Sequence, residues 1–264
     1  MKVIEAIGKG FSIAGKNVNM LVILFVFNVI WNIVPIIFGG NLPNAAAVGA
    51  NPFIIVIGVI FVLLNIFVQG GIFGSLKDIV ASDGKFDMAV FAKYGKKFYV
   101  RFLGLGSIIL AGIALSIAIV SLLFTFAGNA NNVVVNILAV SINITLSAVA
   151  LYYLFLFFLS PYVMVLEDTS IFKAMMSSLR FVRKHLWKAA ALTTLLMLIA
   201  LGIGFIVGVI TGFLSFVIKG AAFQVVAGIL TGAINAYITI VISAALMVYY
   251  LAFSQKKEAE QFSA

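Results

Sequence analysis

Long apolar runs fill most of this sequence and decide what it can fold into. Six can be marked, at roughly 17–38, 52–74, 102–127, 133–166, 189–218 and 222–253. A helix needs about 20 apolar residues to cross a bilayer, because the hydrocarbon core is about 30 Å thick and each residue adds 1.5 Å. Every run meets that length. The chain is 64% hydrophobic and 9% charged, against about 25% charged in soluble domains. The sequence therefore predicts an all-α integral membrane protein, a six-helix transmembrane bundle forming one domain over 1–264, with amphipathic interfacial helices on its cytoplasmic side.

Charge gives the six runs an orientation. Of the 17 Lys and Arg residues, only Lys219 falls in a loop following the first, third or fifth run. All other cations, and all 8 acids, sit at the termini or in the loops after the second and fourth runs. Cations close to span ends are retained in the cytoplasm. The expectation is a multi-pass protein of the cytoplasmic (inner) membrane with both termini cytoplasmic. The formal charge of +9 follows from that bias. Because the cations are interleaved with the runs, their partner is expected to be the anionic leaflet, at about 1 kcal/mol per basic residue near the surface, and not nucleic acid. No cysteine is present, which excludes disulfides, thiolate metal sites and cysteine nucleophiles. The first run exceeds the roughly 7–15 apolar residues of a signal peptide, so it reads as an uncleaved span.

Three amphipathic stretches accompany the runs. Ile4, Ile7 and Phe11 share one helical face in the N-terminal segment, although Gly8, Gly10 and Gly15 weaken a helix there. After the second run, Met88, Phe91, Ala92, Gly95, Phe98 and Phe102 recur three and four apart, with Lys93, Lys97 and Arg101 on the other side. After the fourth, Ile171, Met175, Leu179, Val182 and Leu186 do the same, opposite Lys173, Arg180, Lys184 and Lys188, with Arg183 beside them. An apolar face backed by a basic one describes a helix lying flat on a membrane surface or wedged under the bundle. Lys93, Lys97, Arg101, Arg180, Arg183 and Lys184 are thus the candidates for anionic lipid or for a membrane-protein partner.

The two loops also resemble each other. Asp83, Phe86 and Lys96-Lys97-Phe98 match Asp168, Phe172 and Arg183-Lys184-His185. Each copy reads as span, acidic turn, amphipathic helix, basic cluster, span. This predicts an internal duplication, with repeat-like units at about 52–127 and 133–218 in the same orientation. In the second unit, Pro161 is followed by Leu166-Glu167-Asp168, then Phe172, Ala174, Ser177, Ser178, Arg180 and finally Trp187. Over that stretch the chain resembles the membrane domain attached to some glycerophosphodiester phosphodiesterases, and related stand-alone six-span bacterial membrane proteins. The resemblance implies the architecture. The phosphodiesterase chemistry of that family belongs to a separate barrel domain that these residues do not contain, so no active site is implied.

Reactive side chains are sparse. His185 is the only histidine and sits beside an aromatic anchor, Trp187. Asp83 and Asp168 precede amphipathic helices, where acids commonly cap the first turn. A lipid-modifying enzyme would need Glu167, Asp168 and His185 to meet, and no metal or other cofactor is expected. No ionisable residue lies deep in any run, which argues against ion coupling through side-chain carboxylates. Uncharged amides are found there instead. Asn28 and Asn32 lie one turn apart, as do Asn65 and Gln69; Asn136, Asn143 and Ser147 share a face; Thr231, Asn235, Thr239 and Ser243 form a stripe. Buried amides must find partners in lipid. Asn28, Asn143 and Asn235 are therefore candidates either for gluing helices together or for converging on a midplane polar cavity. Gly204, Gly208 and Gly212 repeat every four residues, as do Gly228 and Gly232, and predict tight packing of the fifth and sixth spans, or a homodimer through the same face. The 133–166 run is too long for a straight crossing, and Pro161 is expected to bend it.

The functional expectation is a non-enzymatic membrane protein that binds lipid or organises partners at the cytoplasmic face. The alternative is an uncoupled small-solute permease with a cavity at the three midplane asparagines.

Overall fold

The computed structural model describes residues 3–39, 52–82, 85–129 and 133–262. Asp83 lies outside them. The described residues are mostly helical, without a strand, in nine helices: α1 (Val3–Lys16), α2 (Val18–Gly39), α3 (Pro52–Ser82), α4 (Met88–Asn129), α5 (Val133–Phe157), α6 (Ser160–Leu166), α7 (Ile171–Lys184), α8 (Leu186–Val217) and α9 (Gly220–Phe262). Five stretches among these are long and apolar enough to cross a membrane, in α3, α4, α5 with α6, α8 and α9; the α1–α2 pair, bent by 83°, makes a sixth if taken as one span. The chain forms two compact units, Met1–Tyr99 with Leu186–Ala264, and Val100–His185. These boundaries cut across the two repeat-like stretches.

In the first unit α9 is the central element. Ala236, Ile240, Val241, Ala244, Ala245, Met247 and Tyr249 are all buried, and α1, α2, α3 and α8 pack on this helix. The α1 face against it shares Ile7 with the apolar face marked in the sequence but not Ile4. Ile4 is 75% exposed, whereas Ala6, Ile7, Gly10 and Ala14 are buried. A Cβ on Gly10 would lie 2.6 Å from the Val241 carbonyl oxygen and 3.1 Å from the Ala245 Cβ. Here the small side chains form the contact, because they let two helix axes approach closely.

Asn17 makes the sharp bend between α1 and α2. Its side-chain amide donates to the Ile13 carbonyl at 2.9 Å, the same oxygen that accepts the Asn17 backbone N–H at 3.2 Å. Its Oδ1 accepts from the backbone N–H of Phe86 at 3.1 Å, tying the segment before α4 to this corner.

The first amphipathic stretch is not a separate interfacial helix. It is the opening of the 42-residue helix α4, which continues into the apolar run without a break. Its apolar face is covered: Phe91 and Phe98 are buried, and Gly71 of α3 sits so close that a Cβ would lie 2.5 Å from the Phe91 ring. Gly74 meets Tyr94 in the same way, and the Tyr94 hydroxyl donates to Asp78 at 3.0 Å. The opening of α4 thus packs against α3 as part of one continuous helix, which neither expected placement described.

In the second unit the 133–166 run is interrupted, as the sequence predicts. Pro161 has no N–H to offer the Phe157 carbonyl, so α5 stops at Phe157 and α6 restarts with Pro161 in its first turn. Asp168 then closes α6 rather than capping α7. Its φ is +49°, its N–H donates to the Val165 carbonyl at 3.4 Å, and the Thr169 N–H donates to Met164 at 3.2 Å. This is the bonding pattern of a Schellman helix end, with Asp168 in the left-handed position usually taken by Gly. Ser170 holds the position before α7 and makes no side-chain capping bond. Arg101 donates to the Asp168 carboxylate at 2.7 Å and to the Thr169 carbonyl at 3.4 Å, holding the turn from the outside.

Candidate functional site

Helix α7 runs from Ile171 to Lys184 without Gly or Pro and stops at His185, whose N–H closes on the Phe181 and Val182 carbonyls. Its inner line is Ala174, Ser178 and Val182, four residues apart and each fully buried. The helix packs on α6 and α5. Ser178 Oγ donates to the Leu156 carbonyl at 2.8 Å, one of the carbonyls left over where α5 ends. The bulkier Ile171, Met175 and Leu179 flank this line, half-buried.

Docking through the small residues turns the other face outward. Phe172 is 72% and Met176 55% exposed. Lys173, Arg180, Arg183 and Lys184 are exposed. Two apolar side chains therefore stand on the first half of the outer face and three cations on the second. Long basic side chains can lay their stems on apolar surface while the charged head reaches outward, and guanidinium groups pair well with phosphate oxygens.

The remaining sequence candidates are distributed as follows. In the first unit, Lys93 and Lys97 are exposed on α4, with Lys97 Nζ 5.4 Å from the centre of the Phe98 ring. In the second, Arg101 is engaged with Asp168. His185 packs its ring 5.2 Å from that of Phe181. Among the described residues, no three of the His, Asp and Glu side chains are grouped to hold a metal.

Family membership rests on a match that runs through all of these elements. The chain belongs to the DUF7847 family. The family's model, described as a domain of unknown function, matches residues 1–256 and so takes in both units. No curated protein and no solved structure matches the chain.

The asparagines take three different environments. Asn28 is half-buried and donates to the Gly232 carbonyl at 3.4 Å, while Asn32 donates to that of Gly228 at 3.0 Å. Both are helix-to-helix links between α2 and α9. Asn235 is exposed on α9. Asn143, in the second unit, is 5% exposed, and neither of its amide atoms has a hydrogen-bond partner among the described residues.

The glycines divide in the same way. A Cβ on Gly232 would come 3.0 Å from Val29 and one on Gly228 3.3 Å from Asn32, so this pair seats α2. Gly204, Gly208 and Gly212 on α8 meet nothing within 4 Å. The expected packing of the fifth and sixth spans through these glycines does not occur. The close-approach face of α9 is occupied by α2, and the α8 stripe is left open.

Asn17 and the Ser178–Leu156 link escaped sequence reasoning as positioning elements. The signal for Asn17 was an amide placed directly between an amphipathic stretch and an apolar run. Ser178 gave none, since a serine on a helix can face either way.

Proposed function

We propose that this protein is a non-enzymatic, multi-pass protein of the cytoplasmic membrane that binds anionic lipid through the outer face of α7. The observation that carries the reading is the docking of α7 by Ala174, Ser178 and Val182, which leaves Arg180, Arg183 and Lys184 outward beside exposed Phe172 and Met176. In a six-span arrangement with cytoplasmic termini, this face lies at the cytoplasmic headgroup level. Phe172 and Met176 then enter the interface while the cations meet phosphate. The resemblance to membrane domains of glycerophosphodiester phosphodiesterases bears on the architecture alone.

The test is native mass spectrometry of protein extracted in lipid-preserving nanodiscs. Wild type is expected to retain anionic lipid, and the triple variant Arg180→Ala, Arg183→Ala, Lys184→Ala to lose most of it. Equal retention by both would sink the reading.

A second reading, uncoupled passage of a small solute, is favoured by Asn143 alone, a buried amide with no partner among the described residues. Solute flux in liposomes that falls on Asn143→Leu would support it. Flux that is absent from wild type would end it.

A further inference from the structure

Within the first unit, helix α9 carries a line of exposed polar side chains. Gln224, Thr231 and Asn235 are all exposed. Their spacing of seven and four places them on one helical line, the seam spacing of paired helices. Asn235 falls near the middle of the apolar stretch Gly220–Ser254. Its amide makes no hydrogen bond among the described residues, in contrast to Asn28 and Asn32, which are used between α2 and α9.

In hydrocarbon an unpaired amide is costly, and no water is present to take its place. Lipid tails cannot satisfy it. A second copy can. Two copies inserted in the same sense and related by a twofold axis along the membrane normal bring each residue to the depth of its own counterpart. An amide is both donor and acceptor, so Asn235 is complementary to itself across such an axis, as is the Thr231 hydroxyl. No charged residue lies on α9 between Gly220 and Ser254 to oppose the approach.

We propose that two copies of this chain pair through the seam of α9, with Thr231 and Asn235 of one copy against Thr231 and Asn235 of the other. The pairing rests on α9 lying in the membrane, which retention of the chain in carbonate-washed membranes checks separately. It does not depend on lipid binding by α7. Asn65 on α3 is also exposed, but Gln69 one turn away is half-buried and no second exposed polar side chain continues the line, so it serves as a comparison position.

The chain has no cysteine, which makes disulfide trapping clean. Single variants Thr231→Cys, Asn235→Cys, Asn65→Cys and Phe205→Cys are oxidised in native membranes and run without reductant. Thr231→Cys is expected to give a band at twice the monomer mass, Asn235→Cys a weaker one because it removes the amide pair, and the other two none. Adding Asn235→Leu to Thr231→Cys should lower that band by roughly 3–20-fold, the loss of one interhelical amide pair in a membrane. The proposal is overturned by trapping at Thr231 and Asn235 no stronger than at Phe205, by preferential trapping at Asn65, by a band of any other mass, or by no effect of Asn235→Leu.

Discussion

Asn32 on α2 donates to the Gly228 carbonyl of α9 at 3.0 Å, and one turn away Asn28 donates to that of Gly232 at 3.4 Å. The pairing runs in opposite directions along the two helices, so α2 and α9 lie antiparallel. It is possible because a helical carbonyl keeps a second lone pair and because neither glycine has a Cβ to hold the amide away.

This predicts opposite outcomes for two glycine substitutions that look alike in sequence. Gly232→Leu forces a side chain into Val29, which a Cβ alone would approach to 3.0 Å, and should cost about 1–3 kcal/mol. Gly208→Leu enters open space and should leave the stability of the single chain unchanged. Thermal unfolding in detergent separates them. A loss of stability only in Gly208→Leu would contradict the placement of α2.

The N-terminal glycines form a second such contrast. Gly10→Leu should detach α1 from α9, since a Cβ there already meets the Val241 carbonyl at 2.6 Å. Gly8→Ala, with nothing within 4 Å, should stabilise α1 by about 0.5–1 kcal/mol through helix propensity. Limited proteolysis of the N-terminal segment reads both, with faster cleavage expected for Gly10→Leu and slower for Gly8→Ala.

The element boundaries were largely legible in the sequence, and the pairing of elements was not. Apolar length set out α3, α5, α8 and α9, and Pro161 marked the break between α5 and α6. In a chain whose surroundings are as apolar as its own side chains, bulk does not distinguish a packed face from an exposed one. Ile4 on α1 and Phe172 on α7 are both bulky and both exposed, at 75% and 72%. The faces that pack are lined by Ala6, Gly10 and Ala14, and by Ala174 and Ser178. A stripe of small residues signals close approach without naming the partner, which is why Gly228 and Gly232 were assigned to α8 although α2 holds them. The cationic residues of α7 were legible from periodicity, but their outward direction followed only from the docked line.

Asp168 offers a test of the helix end that positions α7. Its left-handed φ of +49° costs an ordinary residue about 1–2 kcal/mol, and Gly nothing. Asp168→Gly loses the Arg101 pair but gains this freedom, and should unfold close to wild type. Asp168→Val loses the pair without that gain, and its β-branched side chain tolerates the left-handed φ poorly, so it should be clearly less stable. The pair itself is about one-third exposed on each side, so a double-mutant cycle with Arg101→Ala should give only about 0.2–1 kcal/mol, shrinking as salt is raised. A coupling that persists in high salt would show that the contact is more than a screened surface pair.

The orientation proposed for the spans puts the cationic stretches of α4 and α7 on one side of a membrane and the α8–α9 turn on the other. Because the chain has no cysteine, replacing Lys93, Lys184 or Lys219 singly with Cys and labelling with a membrane-impermeant maleimide tests it directly. Lys219→Cys is predicted to react in intact cells, and Lys93→Cys and Lys184→Cys only in inside-out vesicles. Labelling of Lys219→Cys from the same side as Lys184→Cys would contradict the account.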